Sequence, residues 1–346
     1  MTLRLILAGD VNLMNVTDAA IPFRRVAAEL HAADAVFANL ECCLYLPSRR
    51  SHATEGFFAD PQIGGEALRL SGIHAVGIAN NVNYGAESIA ASIRRLDQIG
   101  VAHTGAGADL AAARAPAIIA RNGLRVAVVQ RSSVYWPTNH EATSDSSGIA
   151  VIRGHTAYQV PIGRIAPGMP PANRPGVPPL IVTWADAAYL DEFREDIAAI
   201  RTQADIVVAS CHWGLGREPL QYMTDIARAA IDAGADVVMG HGPHYPLPVA
   251  VYNGRPIFYG LGNLTFSTGH LGRKHGGWIG MMVEIILERG AVAGCHFRFV
   301  RSDEASASYM CCLADETETL ADLTARSNKL GAALKPEGER VQVMAQ

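Results

Sequence analysis

The feature that most limits how this chain can fold is a recurrence of short apolar runs, most of them closing on Gly, Asn, Asp or another polar residue. They read LRLILAGD (3–10), AVFANLE (35–41), AVGIANN (75–81), LRVAVVQ (124–130), DIVVASCHW (205–213), DVVMGH (236–241) and RPIFYGLGN (255–263). Aliphatic and β-branched runs of this length are strand signals. Between several of them lie helical patterns: IPFRRVAAELHAA (21–33), GAESIAASIRRLDQIG (85–100) and PLQYMTDIARAAIDAG (219–234). The last two end on glycine, as helix C-termini prefer. Strands alternating with helices predict a layered α/β sheet. A chain of 346 residues can bury a sizeable core. No repeat or boundary divides it, so residues 1–346 are expected to form one domain. Residues 136–179, rich in Ser and then Pro, read as a long irregular excursion expected to border the functional crevice as a lid. AVAGCHFRFVR (291–301) adds one more strand, and a helical tail is expected from about Glu316.

Charge and composition narrow the function. Hydrophobic residues make up 49% and charged residues 18%, and no segment strings together the roughly 20 apolar residues of a membrane helix. The N-terminal MTLRLILAGD reads as the first strand, with no cleavage site and no membrane anchor, so a cytoplasmic location is expected. A formal charge of −4 without a dense Lys/Arg cluster argues against nucleic acid and anionic membranes. The expected partner is a small-molecule substrate, and nothing decides against a homo-oligomer. Six cysteines, at 42, 43, 211, 295, 311 and 312, fit neither a disulfide framework nor zinc spacing and read as reduced thiols.

Polar residues collect where the apolar runs stop: Asp10 and Asn12, Asn39 and Glu41, Asn80 and Asn81, His212, then His241 and His244. Strand ends on one edge of an α/β sheet line a common crevice, so these residues can converge. Carboxylate oxygen with imidazole nitrogen is the donor set for Zn, Mn or Fe, which an Asn carbonyl can complete. Each residue alone also reads as a strand-end cap or a hydrogen-bonded core histidine. As a set they predict a metal crevice holding one or two divalent ions, with Asn39 and Asn80 as candidate substrate contacts.

GDVNLM, FANLE, GIANNVNYG, TGAG, SCHWG and AIDAGADVVMGHGPHYPLPVAVYNGRPIFYGLGN resemble the CapA family, the poly-γ-glutamate capsule synthesis proteins of the calcineurin-like metallophosphoesterase superfamily. The match runs in order from about residue 5 to 265. The resemblance implies an α/β fold, a two-layer β-sandwich flanked by helices, with a metal centre at the strand ends. It also implies metal-ligand roles for Asp10, Glu41 as the bridging carboxylate, Asn81, His212 and His244. Two positions depart from the family pattern. Val82 stands where the family usually reads the histidine of NNH, and valine cannot carry a proton. Gly242 stands where it usually reads the first histidine of HPH, so the neighbouring His241 is either a substitute ligand or a turn residue.

The loop FSTGHLGRKHGGW (266–278) follows the last of these strands. Its His270 and His275 are candidate catalytic groups that could stand in for the missing histidine, and Arg273 and Lys274 could grip an anionic substrate. Glu218 of HWGLGRE is a candidate catalytic or substrate-contacting carboxylate, with Arg217 beside it as a substrate-binding cation. Two functions are expected to compete. One is a metal-dependent hydrolase cleaving a phosphoester, amide or related bond with a metal-activated water. The other is a non-catalytic CapA-like protein that binds poly-γ-glutamate or another anionic ligand.

Overall fold

The computed structural model describes residues 2–48, 57–159, 176, 178–269 and 272–346. Two sheets carry the architecture. The first runs in the order Ala332–Glu337, Arg340–Ala345, Ala291–Ser302, Gly280–Glu288, Thr2–Asn12, Ala35–Leu40, Ala75–Gly77 and Ala102–Thr104. Asn263–Phe266 pairs in parallel with the end of Thr2–Asn12. The second is six-stranded: Val249–Tyr252, Arg255–Phe258, Val237–His241, Ile206–His212, Leu124–Ser132 and Ala117–Arg121.

Period-two alternation in the central strands explains why these sheets stack. Leu3, Leu5, Leu7 and Phe37 of the first sheet share one buried cluster with Val126, Val128, Ile206, Val208, Val237 and Met239 of the second. The intervening residues face outward. Ile6, Ala8, Val36 and Ala38 pack with residues of the helices Pro61–Ser71 and Ala86–Ile99. Ala127, Val129, Val207, Ala209 and Val238 pack with the helices Ala187–Arg201 and Gln221–Asp232. The result is a two-layer β-sandwich flanked by helices, as the metallophosphoesterase resemblance implies. Strands buried on both faces read as continuous apolar runs, which is what made them visible in the sequence.

Three expectations need correction. Only Ala27–His31 of the 21–33 pattern is helical, because Asp18 accepts the Ala20 N–H and starts a series of turns that runs to Val26. The tail helix, Thr317–Asn328, is followed by a hairpin, Ala332–Glu337 and Arg340–Ala345, that extends the first sheet. Pro336 sits on its edge strand, where a missing N–H leaves no ladder bond unmade. The 136–179 excursion is not wholly irregular: Gly154–Gln159 pairs with Leu180–Ala185, and Thr183 Oγ1 accepts the Tyr222 N–H at 3.2 Å. Residues 160–175 and 177 lie outside the described residues. All six cysteines are free, and five are buried. Among the described residues no helix is long and apolar enough to cross a membrane.

If the inter-sheet layer carries the stability, Phe37→Ala, at a fully buried position there, lowers unfolding free energy by about 3–5 kcal/mol. Denaturant midpoints measure this. A loss within about 0.5 kcal/mol, as expected of surface positions, would contradict the layer assignment.

Candidate metal centre

Parallel neighbours in each sheet end at the same edge. In the first sheet Asp10 lies opposite Asn39 on one side and Asn263 on the other, with a register shift between Ala8 and Asp10 that marks a bulge. In the second, His212 lies opposite both His241 and Ser132. The carboxylates thus come from one sheet and these imidazoles from the other, and the two meet across the sandwich.

Asp10 and Glu41 are buried to 0% and 1% relative exposure. His241 Nδ1 is 3.0 Å from Asp10 Oδ1, His244 Nδ1 is 3.3 Å from Asp10 Oδ2, and His244 Nε2 is 3.5 Å from Glu41 Oε1. His212 Nε2 is 3.7 Å from the same Glu41 oxygen. Among the described residues, Asp10, Glu41 and His244 each place a ligand atom within 4.8 Å of the others. Burial alone would raise the Asp10 carboxyl, but His241 and His244 outweigh it and hold it well below the usual carboxylate range. Burial likewise lowers His244, yet Glu41 and Asp10 push it up to about 9.

The residues fit a divalent cation. His212 Nε2 and His241 Nε2 are buried without a hydrogen-bond partner, and the approaches of His241 Nδ1 and Asp10 Oδ2 to their neighbours are ion-pair contacts without hydrogen-bond alignment. Leaving such atoms unsatisfied costs about 1–3 kcal/mol each, more when charged. His244 also adopts φ +62°, a left-handed conformation that strains a non-glycine residue by about 1–3 kcal/mol. Two carboxylate oxygens and an imidazole nitrogen suit Zn, Mn or Fe.

The other candidates are placed unevenly. Asn39 and Asn80 are fully buried and their amides are bonded internally. Asn39 Nδ2 donates to Asp10 Oδ1 at 2.8 Å, while Asn80 Nδ2 donates to Asn39 Oδ1 at 3.1 Å and to the Leu40 carbonyl at 2.9 Å. That geometry orients the carboxylates rather than presenting a face to a substrate. Asn12 ties the Thr268 carbonyl and the Met14 N–H. Asn81 is half-buried, and its backbone carbonyl accepts from Trp136 Nε1, one of the points where the 136–179 excursion meets this region. Val82 is buried in the core between the first sheet and its helices. Gly242, at φ +111°, lies where a Cβ would be 2.7 Å from the Trp213 carbonyl and 3.3 Å from His212 Nε2, so this turn is built for glycine and a histidine there would not fit.

In the following loop, His275 is brought beside His244, with ring centroids 6.1 Å apart. Arg273 and Lys274 are exposed, and His270 lies outside the described residues. Arg217 is exposed and stacks over Tyr245, the neighbour of His244, at 5.1 Å. Glu218 is exposed and lies 3.9 Å from Arg326 of the tail helix.

Several contributors went unmarked in the sequence reading. Asn263 Oδ1 lies 3.1 Å from His244 Nδ1, and its Nδ2 lies 3.3 Å from His275 Nε2. Ser132 Oγ lies 3.3 Å from His212 Nδ1, which turns Nε2 toward Glu41. Gln130 Nε2 donates to Asn39 Oδ1 at 2.9 Å. Gln130 and Asn263 close strand-like runs, the same signal that picked out Asp10, and His140 is buried against the Asn83 carbonyl at 3.0 Å.

Comparison with known proteins identifies the family. A family model described as bacterial capsule synthesis protein PGA_cap matches residues 4–268. A probable polyglutamine synthesis accessory protein of Mycobacterium tuberculosis is 31% identical over 198 residues, covering 55% of this chain and 44% of that protein. The PGA biosynthesis protein CapA of Bacillus subtilis is 43% identical over 99 residues, covering 28% of this chain and 24% of its own length. The capsule biosynthesis protein CapA of Bacillus anthracis is 25% identical over 258 residues, covering 71% of this chain and 54% of its own length. The chain therefore spans less than half the length of the first two relatives.

The raised His244 makes a pH prediction with a definite sign. In chelator, its ion pairs contribute stability that is fully present below about pH 6.5 and is lost as pH rises through about 9. Added Mn²⁺ or Zn²⁺ should displace that proton, so the thermal shift from metal grows between pH 6.5 and 8.5. Melting curves with and without metal test this, and a metal shift that does not grow over the window would contradict it.

Proposed function

The chain belongs to the bacterial capsule synthesis protein PGA_cap family, within the calcineurin-like superfamily, and from that premise we propose that it is a metal-dependent hydrolase of a small soluble substrate. The observation that carries this reading is the buried set Asp10, Glu41 and His244, whose ligand atoms cluster within 4.8 Å. Asp10, Glu41 and His244 would hold the cation, with His241 and His212 beside them as further ligands. Such a cation supplies a Lewis acid and makes a bound water acidic enough to act as a nucleophile at neutral pH.

The protein's own groups supply orientation and a proton. Asn263 Oδ1 accepts from His244 Nδ1, which turns Nε2 toward Glu41. Asn263 Nδ2 donates to His275 Nε2, which leaves the proton of a neutral His275 ring on Nδ1. We assign His275 the proton-donating role that Val82 cannot perform. Arg273, Lys274 and Arg217 are exposed around this centre and favour an anionic substrate, a phosphoester or a carboxylated amide.

Val82 itself favours a second reading. A buried valine at the family's histidine position suits a protein that binds an anionic polymer such as poly-γ-glutamate without cleaving it. The curated relatives' names, which describe synthesis and accessory proteins, support that reading equally.

Metal analysis and a hydrolysis screen of phosphoesters, amides and lactams separate the two. The hydrolase reading expects His244→Ala to lose the ion and His275→Ala to keep it while turnover falls by about 10²–10⁴-fold. Glu218, exposed and 3.9 Å from Arg326, has no part in this reading, so Glu218→Gln should change neither. A parent protein that binds the ion, cleaves nothing in the panel and retains poly-γ-glutamate would establish the second reading instead.

A further inference from the structure

We propose that Gln130 is a positioning residue for the cation site, an inter-sheet strut that sets the orientation of the Asp10 and Glu41 carboxylates through Asn39. This inference rests on the reading of those carboxylates as cation ligands.

Gln130 lies on Leu124–Ser132, an inner strand of the second sheet between Ile206–His212 and Ala117–Arg121, and is fully buried. Val126 and Val128, its alternate neighbours, point into the inter-sheet layer, so strand parity places Gln130 on the same inner face. A buried amide is tolerated only when its donor and acceptor are both paired. Both partners here belong to the segments opposite: Oε1 accepts the Ala79 N–H at 2.6 Å and Nε2 donates to Asn39 Oδ1 at 2.9 Å.

Asn39 Oδ1 also receives Asn80 Nδ2 at 3.1 Å. With two donors on its oxygen, the Asn39 amide has one satisfactory orientation, with Nδ2 toward the carboxylates. The reversed amide would set its oxygen against two anions. In the favoured orientation Nδ2 reaches Asp10 Oδ1 at 2.8 Å and Glu41 Oε2 at 3.4 Å. The amide thus occupies one oxygen of each carboxylate, and the other oxygens, Asp10 Oδ2 and Glu41 Oε1, are the ones that face His244. Gln130 reaches from the histidine-bearing sheet to fix which carboxylate oxygens the cation would meet.

The space for the strut is built as well. A Cβ on Gly77 would sit 2.4–2.5 Å from the Gln130 amide atoms, so any side chain at 77 collides with the strut. This close approach is independent of the hydrogen bonds and points to the same residue.

The test titrates the 346-residue chain with MnCl₂ by calorimetry and records the EPR spectrum of the bound ion, with melting curves in chelator as a control. Gln130→Met keeps the volume and removes both hydrogen bonds; it should weaken Mn²⁺ binding by about 10–100-fold and alter the spectrum. Gly77→Ala should weaken binding similarly, yet cost no further affinity in a Gln130→Ala background, because the group it displaces is gone. Should Gln130→Met fail to fold, the Gly77→Ala cycle decides alone. Mn²⁺ affinity within twofold of the parent in both single variants, or additive losses in the double variant, would overturn the strut. A parent that binds no Mn²⁺ would overturn the cation reading, and the strut with it.

Discussion

Two carboxylates removed from water need a compensating charge, and the rest of this structure is arranged around that requirement. An uncompensated ion in a protein interior costs several kcal/mol even after relaxation, so Asp10 and Glu41 persist there only with partners. The imidazoles of His241, His244 and His212 surround them, and Asn39 donates to both. Imidazoles answer the charge in two exclusive ways. Protonated His244 pairs with the carboxylates directly, whereas neutral imidazoles and carboxylates together make a cation site. The unpartnered nitrogens of His212 and His241 favour the second, because protonating one histidine does nothing for the other two.

The sandwich serves this centre by bringing unlike chemistry to one edge. Carboxylates and the Asn39 amide ride on the first sheet, while His212, His241 and Gln130 ride on the second. Packing of Leu5, Leu7 and Phe37 against Val126, Val208 and Met239 fixes the distance between those sets. Close-packed cores resist small displacements, so ligand geometry inherits the rigidity of the inter-sheet layer.

Much of this was legible in the sequence, and for one reason. Strands buried on both faces are continuous apolar runs, so their polar ends stand out, and Asp10, Glu41, His212, His241 and His244 were visible as such interruptions. The edges were not. The hairpin that ends the first sheet, Ala332–Glu337 on the edge and Arg340–Ala345 beside it, carries lysine, arginine, glutamate and proline, as solvent-facing sheet margins do, and its alternation is too short to separate from a loop. Polar residues that serve the site from within the core were also missed. Gln130 and Asn263 end apolar runs, but their partners lie 91 and 19 residues away in sequence, and only the fold brings them together. Asn39 and Asn80, expected at a substrate, are instead buried in the hydrogen-bond network behind the carboxylates. Gly242 is explained only by its turn, whose positive φ and crowding against Trp213 exclude the histidine the family pattern places there.

The central claim is that these buried carboxylates and histidines form a cation site and not a self-contained ion-pair cluster. Crystals grown with MnCl₂ and measured for anomalous scattering test it most directly. The account predicts a strong anomalous peak bounded by Asp10, Glu41 and His244. No peak there, with the His244 ring nitrogens still 3.3 and 3.5 Å from the Asp10 and Glu41 oxygens as in the metal-free arrangement, would contradict it.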